Sequence, residues 1–296
     1  MKNFIDRNVL RKNSFKEKLK TKTNLYRAPV FSWIEFSLSG LCNRVCVFCP
    51  RSNPKEFPNL NKHMSIKSYS SVIKDLKKIN YNGGIIYSGF SEPILYKYIY
   101  EVISLTRNLL PKCRIEMVTN GDHLKLDKIL KLFKHGLTQI SVSLYDGPHQ
   151  IEGFKKIKHE AKLSDEQFDL RYRWEKEKNY GINITNRGGA INMPEINVGN
   201  LKQGLKKKCF YPFYQVMVDY DGAVLLCNHD WYKKLILGNI NKKSILDIWD
   251  NAIYKRTREN LSKGLRIDSP CKNCDANGLM MGGEYVSEWQ NYYEKG

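Results

Sequence analysis

Seven of the eight cysteines in this 296-residue chain fall into two spaced sets. Cys42, Cys46 and Cys49 are packed into CNRVCVFC (42–49). Cys209, Cys227, Cys271 and Cys274 lie in the last third, the final two as a C-x2-C pair. Only Cys113, in PKCRIEMV, belongs to neither set, and it reads as a buried structural thiol. In a cytoplasmic chain such cysteines point to metal chemistry rather than to a disulfide framework. Soft thiolates suit iron–sulfur clusters or zinc. Three thiolates in one tight loop can hold three irons of a cubane and leave the fourth open. A structural zinc site wants a fourth Cys or His nearby. The next histidine is His63, and no second C-x2-C follows closely, so the first set favours a cluster with an open iron. The second set spans C-x12-G-x4-C across Gly222. Four thiolates there could complete a cluster or bind zinc, and spacing leaves both open.

The elements that position these residues can be read from periodicity. WIEFSLSG (33–40), GGIIYSGF (83–90), RIEMVTNG (114–121) and QISVSLYD (139–146) read as strands. Between them, SYSSVIKDLKKI (68–79), ILYKYIYEVISLTRNLL (94–110) and HLKLDKILKLFKHG (123–136) read as helices, the first with Val72, Ile73 and Leu76 on one face. Gly136 suits a helix C′ position. Strands alternating with helices predict a parallel sheet, with catalytic groups at the C-terminal strand ends. LRYRW (170–174) reads as a fifth strand with Arg171 and Arg173 on one face and Tyr172 on the other. FYQVMVDYDGAVLLCN (213–228) reads as a hairpin turning at Asp221-Gly222, and SILDIWDNAIYKRTRENLSKG (244–264) as a helix.

Placed on those elements, C-x3-C-x2-C with Phe48 before the third cysteine resembles the signature of the radical S-adenosylmethionine (SAM) superfamily. SGFSEP (88–93) resembles the family's GGEP segment, which contacts the SAM amino group. Gly89, Glu92 and Pro93 match it, and Ser91 replaces the second glycine. TNG (119–121), with Asn120, and Ser141 and Ser143 on the fourth strand fall where the family meets SAM. The resemblance covers about residues 32–200. It implies an α/β fold, a partial (β/α)6 TIM-like barrel. It also implies a [4Fe-4S] cluster on Cys42, Cys46 and Cys49 whose open iron chelates SAM and generates a 5′-deoxyadenosyl radical.

The second cysteine set resembles the SPASM/twitch extension of such enzymes, with GNI (238–240) and SILDIW (244–249) at the usual connection. With no cysteine after Cys274, it matches the twitch version, a β-hairpin plus helix holding one auxiliary [4Fe-4S] cluster on Cys209, Cys227, Cys271 and Cys274. A fully ligated cluster implies electron transfer and hence a net oxidation. The resemblance to twitch-type dehydrogenases implies a sugar, aminosugar or nucleotide-linked sugar as substrate, and flavodoxin or ferredoxin as an external one-electron donor. Peptide or protein modification is the alternative, and the short segment before the barrel, with no recognition domain read in it, argues against it.

The expected organisation is a basic lead-in (1–30), a barrel (31–204), an auxiliary-cluster module (205–285) and a tail (286–296). A net charge of +19 would suit an anionic partner, but it is spread along a Lys-rich chain and no RNA-binding signature accompanies it. A nucleic-acid module is therefore set aside. No run approaches the roughly 18 to 20 apolar residues of a membrane span, and the N-terminus has no apolar signal core. The expected location is cytoplasmic, without membrane contact. Arg171, Arg173 and Arg187 are the candidates for an anchor inside the barrel, holding the SAM carboxylate or an anionic substrate group. Gly188-Gly189 is expected to let backbone approach a ligand.

Overall fold

The computed structural model describes residues 7–15 and 27–295. Its main sheet contains six parallel strands: β1 (Trp33–Phe36), β2 (Gly84–Tyr87), β3 (Arg114–Thr119), β4 (Gln139–Leu144), β5 (Phe168–Tyr172) and β6 (Gln215–Val218). The order across the sheet is β6-β1-β2-β3-β4-β5. Beyond β6 run two antiparallel strands, β7 (Ala223–Leu225) and β8 (Ile236–Asn239).

The sixth parallel strand is β6, which pairs with β1 in register Trp33↔Gln215 to Phe36↔Val218. It comes from the hairpin assigned to the second module. The barrel and the cysteine-rich region therefore share one hydrogen-bonded sheet.

Each strand has two different environments. On the outer face, Ile140, Val142 and Leu144 of β4 pack into the core with the helices. The alternate residues Gln139, Ser141 and Ser143 are also buried, but polar, and face the barrel interior. Helices α2 (Ile66–Lys78), α3 (Ile99–Leu109), α4 (Leu126–Lys134) and α5 (His149–Glu160) follow β1 to β4. In α2, Ser65 caps the first turn by accepting from Ser68 N at 3.0 Å, and Tyr69, Val72, Ile73 and Leu76 form the buried face. Gly136 follows the end of α4 at φ +112°, as its C′ assignment requires.

Two terminal segments do more than expected. Within the lead-in, α1 (Arg7–Phe15) enters the strands' N-terminal side. Its Arg11 pairs with Glu116 on β3, and its Lys12 donates to Gln215 on β6 at 2.7 Å. Burial alone would raise the Glu116 carboxyl, but the Arg11 and Arg114 guanidinium groups hold it below its ordinary value. The rest of the expected lead-in, residues 1–6 and 16–26, lies outside the described residues. The expected tail is a helix, α8 (Val286–Lys295), whose Trp289 is fully buried.

That helix closes a cage around Arg258. The region expected as one helix at 244–264 splits into α6 (Ile245–Trp249) and α7 (Ala252–Ser262). Arg258 of α7 stacks over Trp249 (4.1 Å), Tyr254 (4.4 Å) and Trp289 (3.5 Å to the ring centroid). It donates to Pro212 O at 2.8 Å and to the Tyr293 hydroxyl at 3.1 Å. Burial pushes its pKa below the ordinary arginine value. Three ring faces and two hydrogen bonds are what keep the charge inside. Arg258→Ala should lower stability by about 3 kcal/mol, measured by urea unfolding of the reconstituted protein. A loss within the ~0.5 kcal/mol of a surface change would contradict this packing role.

Candidate active site

The loop after β1 delivers Cys42, Cys46 and Cys49 over the C-terminal ends of the strands. They line a cavity of about 280 Å³ together with Glu92, Ser143 and Arg171. The loop is tied down at several points. Cys42 N donates to Asn59 Oδ1 at 2.8 Å, and Cys49 N to Cys46 O at 2.9 Å. Arg51, buried, donates to the carbonyls of Phe90 (2.9 Å) and Gly40 (3.1 Å). Arg44 forks to Asp122 (2.5 and 2.7 Å) and Asp146 (2.6 and 2.7 Å). Those aspartates stand just after β3 and β4, so one guanidinium joins the cysteine loop to two neighbouring strand ends. Its bonds to Asp146 and Asp122 raise the Arg44 pKa and lower that of Asp146.

Glu92 lies at the start of the turn Pro93–Leu95 and is buried. Its carboxylate accepts from Thr119 Oγ1 (2.6 Å), Asn120 N (2.8 Å) and Ile94 N (3.1 Å). Burial outweighs those donors and raises its pKa to about 7. A carboxylate so placed is suited to a cationic ligand group, such as an ammonium. Gly89 holds φ +80°, and a Cβ there would come within 2.9 Å of Met217 Cε.

Most of the sequence-predicted residues converge on this cavity. Phe48, Gly89, Ser91, Glu92, Asn120 and Ser143 line it. So do Arg171, Arg173 and Arg187. Arg171 and Arg173 face the same side, with Tyr172 outward and exposed, as the β5 alternation requires. Three expectations change. Ser141 does not reach the cavity; it is buried deeper in the barrel and donates to Asp169 Oδ1 at 2.5 Å. Pro93 shapes the turn and lies outside the lining. Gly188-Gly189 approaches protein, not a ligand: a Cβ on Gly188 would sit 2.9 Å from His229 O and from Pro270 Cβ.

The second set, Cys209, Cys227, Cys271 and Cys274, lines an adjoining cavity of about 280 Å³. Arg266 organises its rim by donating to the carbonyls of Lys207 (2.9 Å), Cys274 (3.1 Å) and Ala276 (2.9 Å). Gly278 packs so closely on Cys209 that a Cβ there would collide with its Sγ. Asn186 donates to Asn273 O at 2.6 Å and, through its backbone, to Asp275 Oδ1 at 2.8 Å. This staple sets Arg187 at the boundary, and Arg187, Lys12, Ile182 and Asn228 line both cavities. His229 also lines the second cavity, where burial, Arg187 and Arg266 lower its pKa to about 3, so it is neutral.

The donor sets fit clusters. All seven thiols are free and gathered by set around a cavity. Burial and, secondarily, neighbouring thiols push Cys46 up to about 12. Burial, opposed in part by a backbone donor, pushes Cys274 up to about 11. Cys227 is raised well above the ordinary thiol range, by burial first and then by Cys274 and Cys271. Such thiols become anions against a bound metal centre, whose positive charge offsets that cost.

Comparison with known proteins places this geometry. A model of the radical SAM superfamily matches residues 36–170, and one of the SPASM iron-sulfur cluster-binding domain matches residues 209–275. The chain carries a radical SAM domain followed by a SPASM cluster-binding domain. Its cofactors are S-adenosylmethionine and iron–sulfur clusters, one of them auxiliary. The S-adenosyl-L-methionine-dependent 2-deoxy-scyllo-inosamine dehydrogenase of Niallia circulans is 28% identical over 254 residues, 83% of this chain and 93% of that protein. The crystal structure of BtrN in complex with AdoMet and 2-DOIA superposes with a TM-score of 0.72 at 26% identity, covering 88% of this chain and 98% of that one. Native anSMEcpe with bound AdoMet matches at a TM-score of 0.55 and 14% identity, covering 88% and 96%, a likeness of fold alone.

Several lining residues were not singled out from sequence: Glu35, Ser88, Asn228, Lys12 and Arg51. Asn228, next to Cys227, carried the clearest positional signal. Glu35, in the apolar context WIEF, was legible only as an ionisable group on a strand otherwise buried.

Reconstituted protein should carry about eight irons, and replacing Cys209, Cys227, Cys271 and Cys274 by Ala should leave about four. Iron and sulfide analysis checks this, and stoichiometric zinc with about four irons would refute the second cluster. The Cys42, Cys46 and Cys49 triple Ala variant should form no 5′-deoxyadenosine.

Proposed function

We propose that this radical SAM enzyme oxidises a secondary alcohol of an aminocyclitol or related aminosugar to the ketone. The observation that carries the reading is the shared wall between the two cavities, made by Lys12, Ile182, Arg187 and Asn228. A substrate carbon in the first cavity would lie beside the second cysteine set. When bound, SAM and its three-cysteine cluster would supply a 5′-deoxyadenosyl radical for hydrogen-atom abstraction, and the auxiliary cluster would supply a one-electron acceptor.

The chain's own residues divide the other tasks. Cys42, Cys46 and Cys49 would hold the first cluster, and Glu92 would meet the SAM ammonium through its buried carboxylate. Arg171 donates to Ser143 Oγ at 2.8 Å, and its Nε is buried without a hydrogen-bond partner. That open donor would take the SAM carboxylate or an anionic substrate group. Arg173 is committed to the carbonyls of Tyr180 and Gly181, which orders the 176–181 turn over Phe48. Arg187, at the boundary, would orient the substrate between the two sites. Phe48, against Tyr145 and Tyr180, gives the cavity a dry aromatic wall.

A small-molecule substrate agrees with the substrate named for the Niallia circulans relative, and a flavodoxin- or ferredoxin-type donor would supply the priming electron. Among the described residues no helix is long and apolar enough to cross a membrane. Peptide modification and nucleic-acid binding draw no support from a specific feature of the cavity.

Anaerobically reconstituted enzyme with SAM, a chemical reductant and 2-deoxy-scyllo-inosamine should give 5′-deoxyadenosine and ketone in equal amounts. A parallel arm with a sugar phosphate tests the anionic class. SAM cleavage with no ketone in either arm would overturn the alcohol-oxidation reading.

A further inference from the structure

Glu35 lies on the cavity side of β1, opposite in facing to Ile34 and Phe36, which pack into the helix-side core. Among the lining residues of the SAM-side cavity, the only carboxylates are Glu35 and Glu92. Glu92 is engaged at the strand ends by Thr119, Asn120 and Ile94. The cysteines are the cluster ligands, and the arginines and Lys12 are cations. A buried carboxylate facing a cavity in which an alcohol is oxidised is the natural acceptor for the alcohol's proton.

The surroundings of Glu35 agree with that role. Its Oε1 accepts from Ser88 Oγ at 2.5 Å. Its Oε2 accepts from Gln215 Nε2 at 2.7 Å, and more loosely from the Tyr211 hydroxyl at 3.3 Å and Asn228 Nδ2 at 3.4 Å. Lys12 engages Gln215 Oε1 and so turns the amide nitrogen toward Glu35. The two long contacts are the ones a substrate hydroxyl could displace. Asn228 adds an independent sign: its Oδ1 is buried and has no hydrogen-bond partner. An orphaned buried acceptor is costly until a donor arrives. Two adjacent acceptors, one a carboxylate, match a ligand carrying neighbouring hydroxyl and ammonium donors.

We propose that Glu35 is the catalytic base for the alcohol proton and that Asn228 Oδ1 receives a neighbouring hydroxyl or ammonium of the same substrate. This assignment rests on the alcohol-oxidation reading above. The carbinol carbon loses a hydrogen atom to the adenosyl carbon radical. The oxygen loses its proton to Glu35 Oε2, and the O–H bonding pair stays with oxygen. The remaining electron leaves for the oxidised auxiliary iron–sulfur cluster. Two electrons and two protons leave the alcohol, as ketone formation requires.

The test uses full-length reconstituted enzyme with 2-deoxy-scyllo-inosamine as the probe. In Glu35→Gln, ketone formed per 5′-deoxyadenosine should fall about 100-fold or more, and Glu35→Asp should recover part of it. In Asn228→Ala, the dissociation constant of the probe, measured by calorimetry, should rise about tenfold. Iron content checks that the variants remain loaded. A wild-type ketone-to-deoxyadenosine ratio in Glu35→Gln overturns the base assignment while leaving the proposed oxidation standing. An unchanged dissociation constant in Asn228→Ala overturns the acceptor pair. If the wild-type enzyme makes no ketone, the oxidation reading falls and takes the base assignment with it.

Discussion

A thiol shielded from water resists ionisation, and this structure gathers seven in two groups, with Cys227 and Cys274 buried and the other five part-buried. Burial raises every one, and within each group neighbouring thiols raise some further. Left to themselves these thiols stay neutral, and a bound multivalent metal centre is what would make them thiolates. Much of the surrounding architecture serves that constraint. Arg51 and Arg44 pin the first loop to strand ends, and Arg266 and Gly278 shape the second.

The continuous sheet sets the distance between the two groups. Because β6 pairs with β1, the segments that carry Cys209 and Cys227 are anchored to the strand that launches the Cys42 loop. The Asn186 staple then draws the Cys271–Cys274 loop against the barrel wall. Lys12, Ile182, Arg187 and Asn228 line both cavities and so form the wall between the two loops. Function follows from adjacency: what one site generates, the other can relieve.

Much of this was legible in sequence, for physical reasons. Cysteine spacing survives without tertiary knowledge because the ligands of each loop are local in the chain. The strand pattern was legible because β4 alternates strictly between Ile140, Val142, Leu144 and the polar set. The β5 alternation likewise put Arg171 and Arg173 on one face. What escaped depends on long-range pairing. Nothing local in FYQVMVDYDG says that Gln215–Val218 is the sixth parallel strand. Nothing in a basic N-terminal segment says that Arg11 meets Glu116 inside the barrel. Ser141 was misplaced because periodicity gives the face of a strand but not the depth along it. Gly188-Gly189 was misread because close approach by backbone has the same signature toward a ligand or toward Pro270.

In the proposed oxidation a substrate C–H bond is broken by a SAM-derived radical in the chamber between the two cysteine sets. The most direct measurement is isotope transfer. Aminocyclitol deuterated at the oxidised carbinol carbon is turned over in ordinary water, and the 5′-deoxyadenosine is examined by mass spectrometry. Deuterium should appear in the 5′-deoxyadenosine, delivered from that carbon alone. Ketone formed alongside unlabelled 5′-deoxyadenosine would contradict it.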